Sequence, residues 1–157
     1  MILRTLREFL DSHKIRYVVM SHSVAYTAQE TAQAAHIHGR EFAKTTIVKL
    51  DGKMAMAVLP ATEKVDVKLL AAATRSKRAE FASEAEFQGR FPECEIGAMP
   101  PFGNLYGMDV YMEESMTEDK KIAFNAGSHT ELIQMALEDF FTLVNPKVVR
   151  LSTAYSS

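Results

Sequence analysis

The chain has 157 residues, 47% hydrophobic and 24% charged, with a formal net charge of −2. That length fits one domain, which buries roughly two thirds of its unfolded surface and needs no metal or disulfide to fold. The near-neutral charge argues against a protein that grips long duplexes by their phosphates, so the expectation is no DNA, with nucleic-acid contact kept small and local. A single cysteine, Cys94, rules out an intrachain disulfide and a paired-cysteine zinc site. Charges at Arg4, Arg7, Glu8 and Asp11 interrupt any apolar leader between Met1 and His13. No apolar run approaches the roughly 20 residues that span a bilayer. The expectation is a soluble, cytoplasmic chain folded as one domain over 1–157.

Leu3, Leu6, Phe9 and Leu10 form a helical stripe, and Arg16 to Ser21 follows as a strand. Thr27 with Glu30 has the spacing of a capping box and predicts a helix to about Ala35. Between Lys44 and Leu59, two strand-forming runs flank Asp51-Gly52, whose residues tolerate the positive φ of a tight hairpin. Pro60 closes that unit. Helices are expected over Val65–Thr74 and, opened by Ser83 with Glu86, over Ser83–Phe91. Strands follow at Met108–Met112 and Lys121–Asn125. The broad apolar face of Ser128–Phe141 predicts a long helix, and Val148–Leu151 a last short strand. Without regular βαβ alternation, the fold class is α+β, a mixed and mainly antiparallel sheet packed by helices. Gly97–Gly107 is a long irregular stretch of the kind that often carries function.

The common catalytic templates do not occur: no phosphate-binding loop, dinucleotide fingerprint, nucleophile elbow or His-Glu-x-x-His. His36 and His38 could converge on a metal, but no third ligand stands nearby, so the expectation is no metal and no cofactor. Three segments each admit two readings. Lys44 is either an ordinary lysine at a strand end or an ammonium aimed at an ester or phosphate oxygen. Gly97-Ala98-Met99-Pro100-Pro101 is either a stiff turn or a loop that approaches a ligand closely. Asn125-Ala126-Gly127-Ser128-His129 is expected to run into a helix, with Ser128 as its N-cap, His129 exposed in its first turn, and backbone N–H groups available to an oxygen. Lys64, Lys68, Arg75, Lys77 and Arg78 are either a solvated face or a track for phosphates. Cys94 is not expected to act as a nucleophile.

Four blocks stand in the order and spacing of the YbaK family, the aminoacyl-tRNA deacylases that also occur as an editing domain of prolyl-tRNA synthetases. They are His22 with Tyr26, Thr27 and Glu30; Lys44-Thr45 with Val48-Lys49 and Asp51-Gly52; Gly97 to Gly103, containing Gly-x-x-x-Pro; and Asn125 to Ser128. Val58-Leu59-Pro60 with Lys64-Val65-Asp66 is also similar, and the resemblance runs from about residue 3 to 145. It implies hydrolysis of the ester joining an amino acid to the tRNA 3′ end. The matching lysine, Lys44, would position that end, while the substrate's ribose hydroxyl and a water supply the remaining chemistry. Gly97, Ala98, Met99, Pro100 and Pro101 would shape the amino-acid pocket. His22, Tyr26, Thr45, Gly127 and Ser128 would complete the substrate-binding set. The implied partners are aminoacyl-tRNA and an aminoacyl-tRNA synthetase. The rival reading is a non-catalytic module of the same fold that binds a tRNA end, a synthetase or a small ligand.

Overall fold

A computed structural model describes residues 3–154. Met1, Ile2 and the last three residues of the expected 1–157 domain lie outside them. The described residues form ten strands and five α-helices: α1 (Arg4–Ser12), β1 (Tyr17–Ser21), α2 (Ala28–Ala34), β2 (Phe42–Leu50), β3 (Lys53–Pro60), β4 (Glu63–Val65), α3 (Val67–Thr74), β5 (Ala79–Phe81), α4 (Glu84–Phe87), β6 (Asp109–Glu113), β7 (Lys121–Asn125), β8 (Glu131–Ala136), α5 (Leu137–Val144), β9 (Lys147–Val149) and β10 (Ser152–Ala154). The main sheet runs β1-β8-β7-β2-β3-β6-β9, with β5 also on β2, and β4 pairs with β10 as a separate ribbon. Within the main sheet, β2 with β7, β3 with β6 and β6 with β9 are parallel, and the other pairs are antiparallel. This is the mixed α+β architecture expected.

Alternation along the central strands separates two faces. Ala43 and Ile47 of β2 pack in the larger core with Leu6 and Leu10 of α1, Phe87 of α4 and Phe140 of α5. Phe42 faces the other way, with Ala32 of α2, and Val48 does so with Leu70 of α3. Helices therefore cover both faces of the sheet. The hairpin turn has the positive φ its residues allow, 50° at Asp51 and 86° at Gly52. The Asp51 carboxylate then accepts the N–H groups of Lys77 and Arg78, tying the turn to the approach of β5.

One expectation fails. Ser128–Phe141 is not a single helix: Glu131–Ala136 is the strand β8, and the helix α5 begins only at Leu137. β8 pairs with β1 and β7, and its Leu132 and Ile133 are buried in different cores, one on each face. A strand covered on both sides loses its polar alternation, and its apolar run merges with that of the following helix. Smaller departures are the shift of the third helix to Val67, after the short strand β4, and the shortening of the Ser83 helix to one turn followed by a 3-10 turn at Gln88–Arg90. The expected last strand is two, β9 and β10, with Leu151 buried between them.

The C-terminal ribbon is held by one buried acid. Glu113, 3% exposed, accepts the N–H of Leu151 at 2.9 Å, of Ser152 at 3.0 Å and of Ser115 at 2.9 Å. Burial pushes its carboxyl up, but the backbone donors outweigh burial and hold it below the ordinary glutamate value. A depressed folded-state pKa stabilises above the unfolded value, and that contribution is lost as pH falls. Glu113→Ala is expected to cost about 3 kcal/mol in urea unfolding at pH 7, through the orphaned N–H groups. The deficit should shrink as pH drops through the carboxylate range, and a deficit independent of pH would exclude the charge as its source.

Candidate active site

β2 changes neighbours along one edge. Phe42 and Ala43 pair with β7, Val48 to Leu50 pair with β5, and Lys44 sits where the first pairing has ended. Lys44 is half-buried and lines a surface cavity of about 330 Å³ with Thr27, Ala28, Gln29 and Ala61. Sheet and helix thus build the cavity together. Thr27 caps α2, its hydroxyl accepting the Glu30 N–H, and Ala61 follows β3 with its N–H on the Phe42 carbonyl. Asn125 continues β7 level with Lys44, because Ala43 pairs with Phe124 in parallel register and the two residues follow their partners by one step.

The other blocks meet at the same end of the sheet. Gly127 donates its N–H to the Ala98 carbonyl at 2.9 Å and accepts the Glu95 N–H at 2.8 Å. This joins the Gly97 loop to the β7–β8 connection. Gly97 and Gly127 have φ of 86° and 99°, which side-chain-bearing residues rarely adopt, and a Cβ at Gly127 would meet Leu3 at 3.3 Å. The His22 N–H reaches the Thr130 carbonyl, and the Ala25 N–H reaches that of His129. Residues 22–27 therefore bridge the β7–β8 connection to the Lys44 cavity.

Ser128 does not cap a helix, because no helix follows it. Its hydroxyl lies 3.3 Å from that of Thr130 in a strand-to-strand connection. His129, expected to be exposed, is 7% exposed. Its Nε2 donates to the Ile96 carbonyl at 2.8 Å, and its N–H reaches Glu95 Oε2 at 3.0 Å. Its ring also packs against Tyr26, with centroids 5.0 Å apart. Thr45 alternates to the opposite face of β2 from Lys44. Ala98, Pro100 and Pro101 are buried, and Met99 lines a second cavity, of about 250 Å³, with Phe91, Cys94 and Ile96 among others. Gln29, Ala61, Glu95 and His129 were absent from the sequence-derived site. Gln29 and Ala61 meet at the Lys44 cavity, and Glu95 meets His129, only through pairing and loop contacts that no spacing in the chain announces.

Four buried polar atoms at this end of the sheet have no hydrogen-bond partner among the described residues: His22 Nε2, Thr45 Oγ1, Asn125 Oδ1 and His129 Nδ1. Buried polar groups are nearly always paired, so such a group invites a water or a ligand. Cys94 has the wrong environment for a nucleophile. Burial pushes its thiol up, and its Sγ lies 3.7 Å from the Tyr106 hydroxyl. His36 and His38 are exposed, and the described residues contain no group of three His, Cys, Asp or Glu placed to hold a metal. Arg78 pairs with Glu80 at 3.0 Å, while Lys64, Lys68, Arg75 and Lys77 are exposed. No helix among the described residues is long and apolar enough to cross a membrane.

A mixed sheet with helices on both faces holds a lysine in a cavity at the point where one strand changes partner. The chain belongs to the aminoacyl-tRNA editing domain family, whose model matches residues 22–143. It is 29% identical over 112 residues to the multifunctional Ser/Thr-tRNA deacylase ProXp-y of Escherichia coli K12; the match covers 68% of this chain and 66% of that relative, a little under two thirds of its length. Among solved structures, the hypothetical protein APE2540 superposes with a TM-score of 0.85 at 15% identity, covering 96% of this chain and 100% of that one. The structure of a candidate trans-editing enzyme for prolyl-tRNA synthetase superposes with a TM-score of 0.81 at 17% identity, covering 96% of each chain. Those two likenesses establish the fold.

Proposed function

We propose that the chain is a trans-editing hydrolase that releases wrongly attached amino acids from aminoacyl-tRNA. The observation that carries this reading is Lys44, half-buried in a cavity of about 330 Å³ inside the span matched by the editing-domain family. An ammonium held at such a rim favours a phosphate or ester oxygen and any negative charge that develops there. The proposed step adds water to the ester carbonyl and breaks the bond to the ribose oxygen. The products are a free amino acid and a tRNA with its terminal hydroxyl restored. No serine, cysteine or histidine in the described site is arranged as an activated nucleophile, so the protein's part is to position the 3′ end and stabilise charge. A trans-acting role implies meeting aminoacyl-tRNA after a synthetase has charged it, and a cytoplasmic setting suits that meeting.

In this reading Gly97, Ala98 and Gly127 contribute through backbone and His22 and Ser128 through polar atoms, whereas Thr45 faces away from Lys44 across β2. Met99, Pro100 and Pro101 hold the loop's shape from within. The chain's relative is a Ser/Thr-tRNA deacylase, which makes a small amino acid bearing a hydroxyl the first candidate for release. A panel of tRNAs charged with serine, threonine, alanine and cysteine tests both layers. Release from serine or threonine substrates above spontaneous hydrolysis is expected. Preference for alanine or cysteine would overturn the hydroxyl assignment, and no release from any member would overturn the hydrolase.

A further inference from the structure

A role for Tyr26, the residue before the cavity-lining Thr27, rests on the deacylase reading. Tyr26 is 73% exposed, more than any other large apolar side chain among the described residues. Its mounting is nonetheless rigid. The Ala25 N–H is bonded to the His129 carbonyl, Thr27 caps α2, and the Tyr26 ring rests on the His129 ring at 5.0 Å, tilted by 55°. His129 is fixed in turn by Ile96 and Glu95, and its Nδ1 is buried without a partner among the described residues. An aromatic ring that is backed on one side and left open on the other is the form of a nucleobase platform.

We propose that Tyr26, backed by His129, stacks the terminal base of the tRNA acceptor end while the Lys44 cavity receives the ester. The spacing is suitable. Tyr26 and the cavity-lining Thr27 are consecutive, with Cα atoms about 3.8 Å apart, which keeps the ring within the reach of a single nucleotide from the cavity. Val24, from the same segment as Tyr26, and Ile96, whose carbonyl holds His129, are 58% and 43% exposed and add apolar surface. Stacking needs no readout of the base edge, and an end that is the same on every tRNA requires none.

The test is binding of uncharged acceptor-stem RNA, ending either in adenosine or in an abasic ribose, followed by fluorescence anisotropy. Wild type is expected to bind the adenosine-ended RNA roughly tenfold more tightly than the abasic one. Tyr26→Leu should lose that preference, and Tyr26→Phe should keep it. With charged RNA, Tyr26→Leu should raise KM far more than it lowers kcat. Equal wild-type affinity for the two RNAs, or an undiminished preference in Tyr26→Leu, would overturn the platform. Because the binding assay needs no hydrolysis, its outcome is separate from that of the deacylase reading. Base-dependent binding without amino-acid release leaves the platform standing and removes the enzyme.

Discussion

Lys44→Ala is expected to lower kcat/KM for release of the edited amino acid by about a hundredfold or more, the scale of losing one preorganised charge donor. Lys44 lines the cavity from the point on β2 where pairing with β7 has ended. Removing its ammonium therefore takes positive charge from the pocket without removing a core side chain. Lys44→Arg keeps the charge but replaces a compact ammonium with a planar fork, and should recover only part of the rate. A thermal melt run alongside separates this from unfolding. Alanine and wild-type rates within threefold of each other would remove Lys44 from the mechanism.

Phe102→Ala carries the largest expected loss of stability. The ring is fully buried and meets Phe124 at 5.3 Å, Phe140 at 5.4 Å and Phe9 at 6.1 Å, each edge to face. It joins β7, α5 and α1 directly after Pro101, so it also anchors the Gly97 loop in the core. Truncation should cost about 4 kcal/mol in chemical denaturation, the usual scale for a buried phenylalanine. At this chain length that lowers the melting temperature by roughly 10 °C. A loss below about 1 kcal/mol would mean that the ring cluster does not hold the loop. If the variant still folds, activity should fall further than stability alone explains, because the loop joined to Gly127 is loosened.

The legible parts of the sequence were those governed by local rules. Asp51-Gly52 marked its hairpin because two consecutive positive φ angles favour those residues, and Ser83 with Glu86 marked a capping box that is present. Thr27 likewise caps the helix expected after it. The family blocks located Lys44, and the fold then placed Thr27 beside it. What stayed hidden depends on tertiary surroundings. β8 reads as helix because Leu132 and Ile133 are buried on opposite faces, which breaks a strand's alternation, and its true state follows only from pairing with β1 and β7. The misreading carried Ser128 and His129 with it. Once β8 is a strand, the connection before it is a loop between strands, and His129 turns inward to Ile96 and Tyr26. The strands β4 and β5, of three residues each, were too short to carry a pattern of their own.

The most direct test of the central claim is single-turnover release of labelled serine or threonine from a mischarged tRNA, with enzyme in excess and spontaneous hydrolysis measured in parallel. Wild type should release the amino acid well above the spontaneous rate, and Lys44→Ala should return toward that rate. Wild-type release at the spontaneous rate on every charged tRNA tried, with the tRNA demonstrably bound, would contradict it and leave a binding module in place of an enzyme.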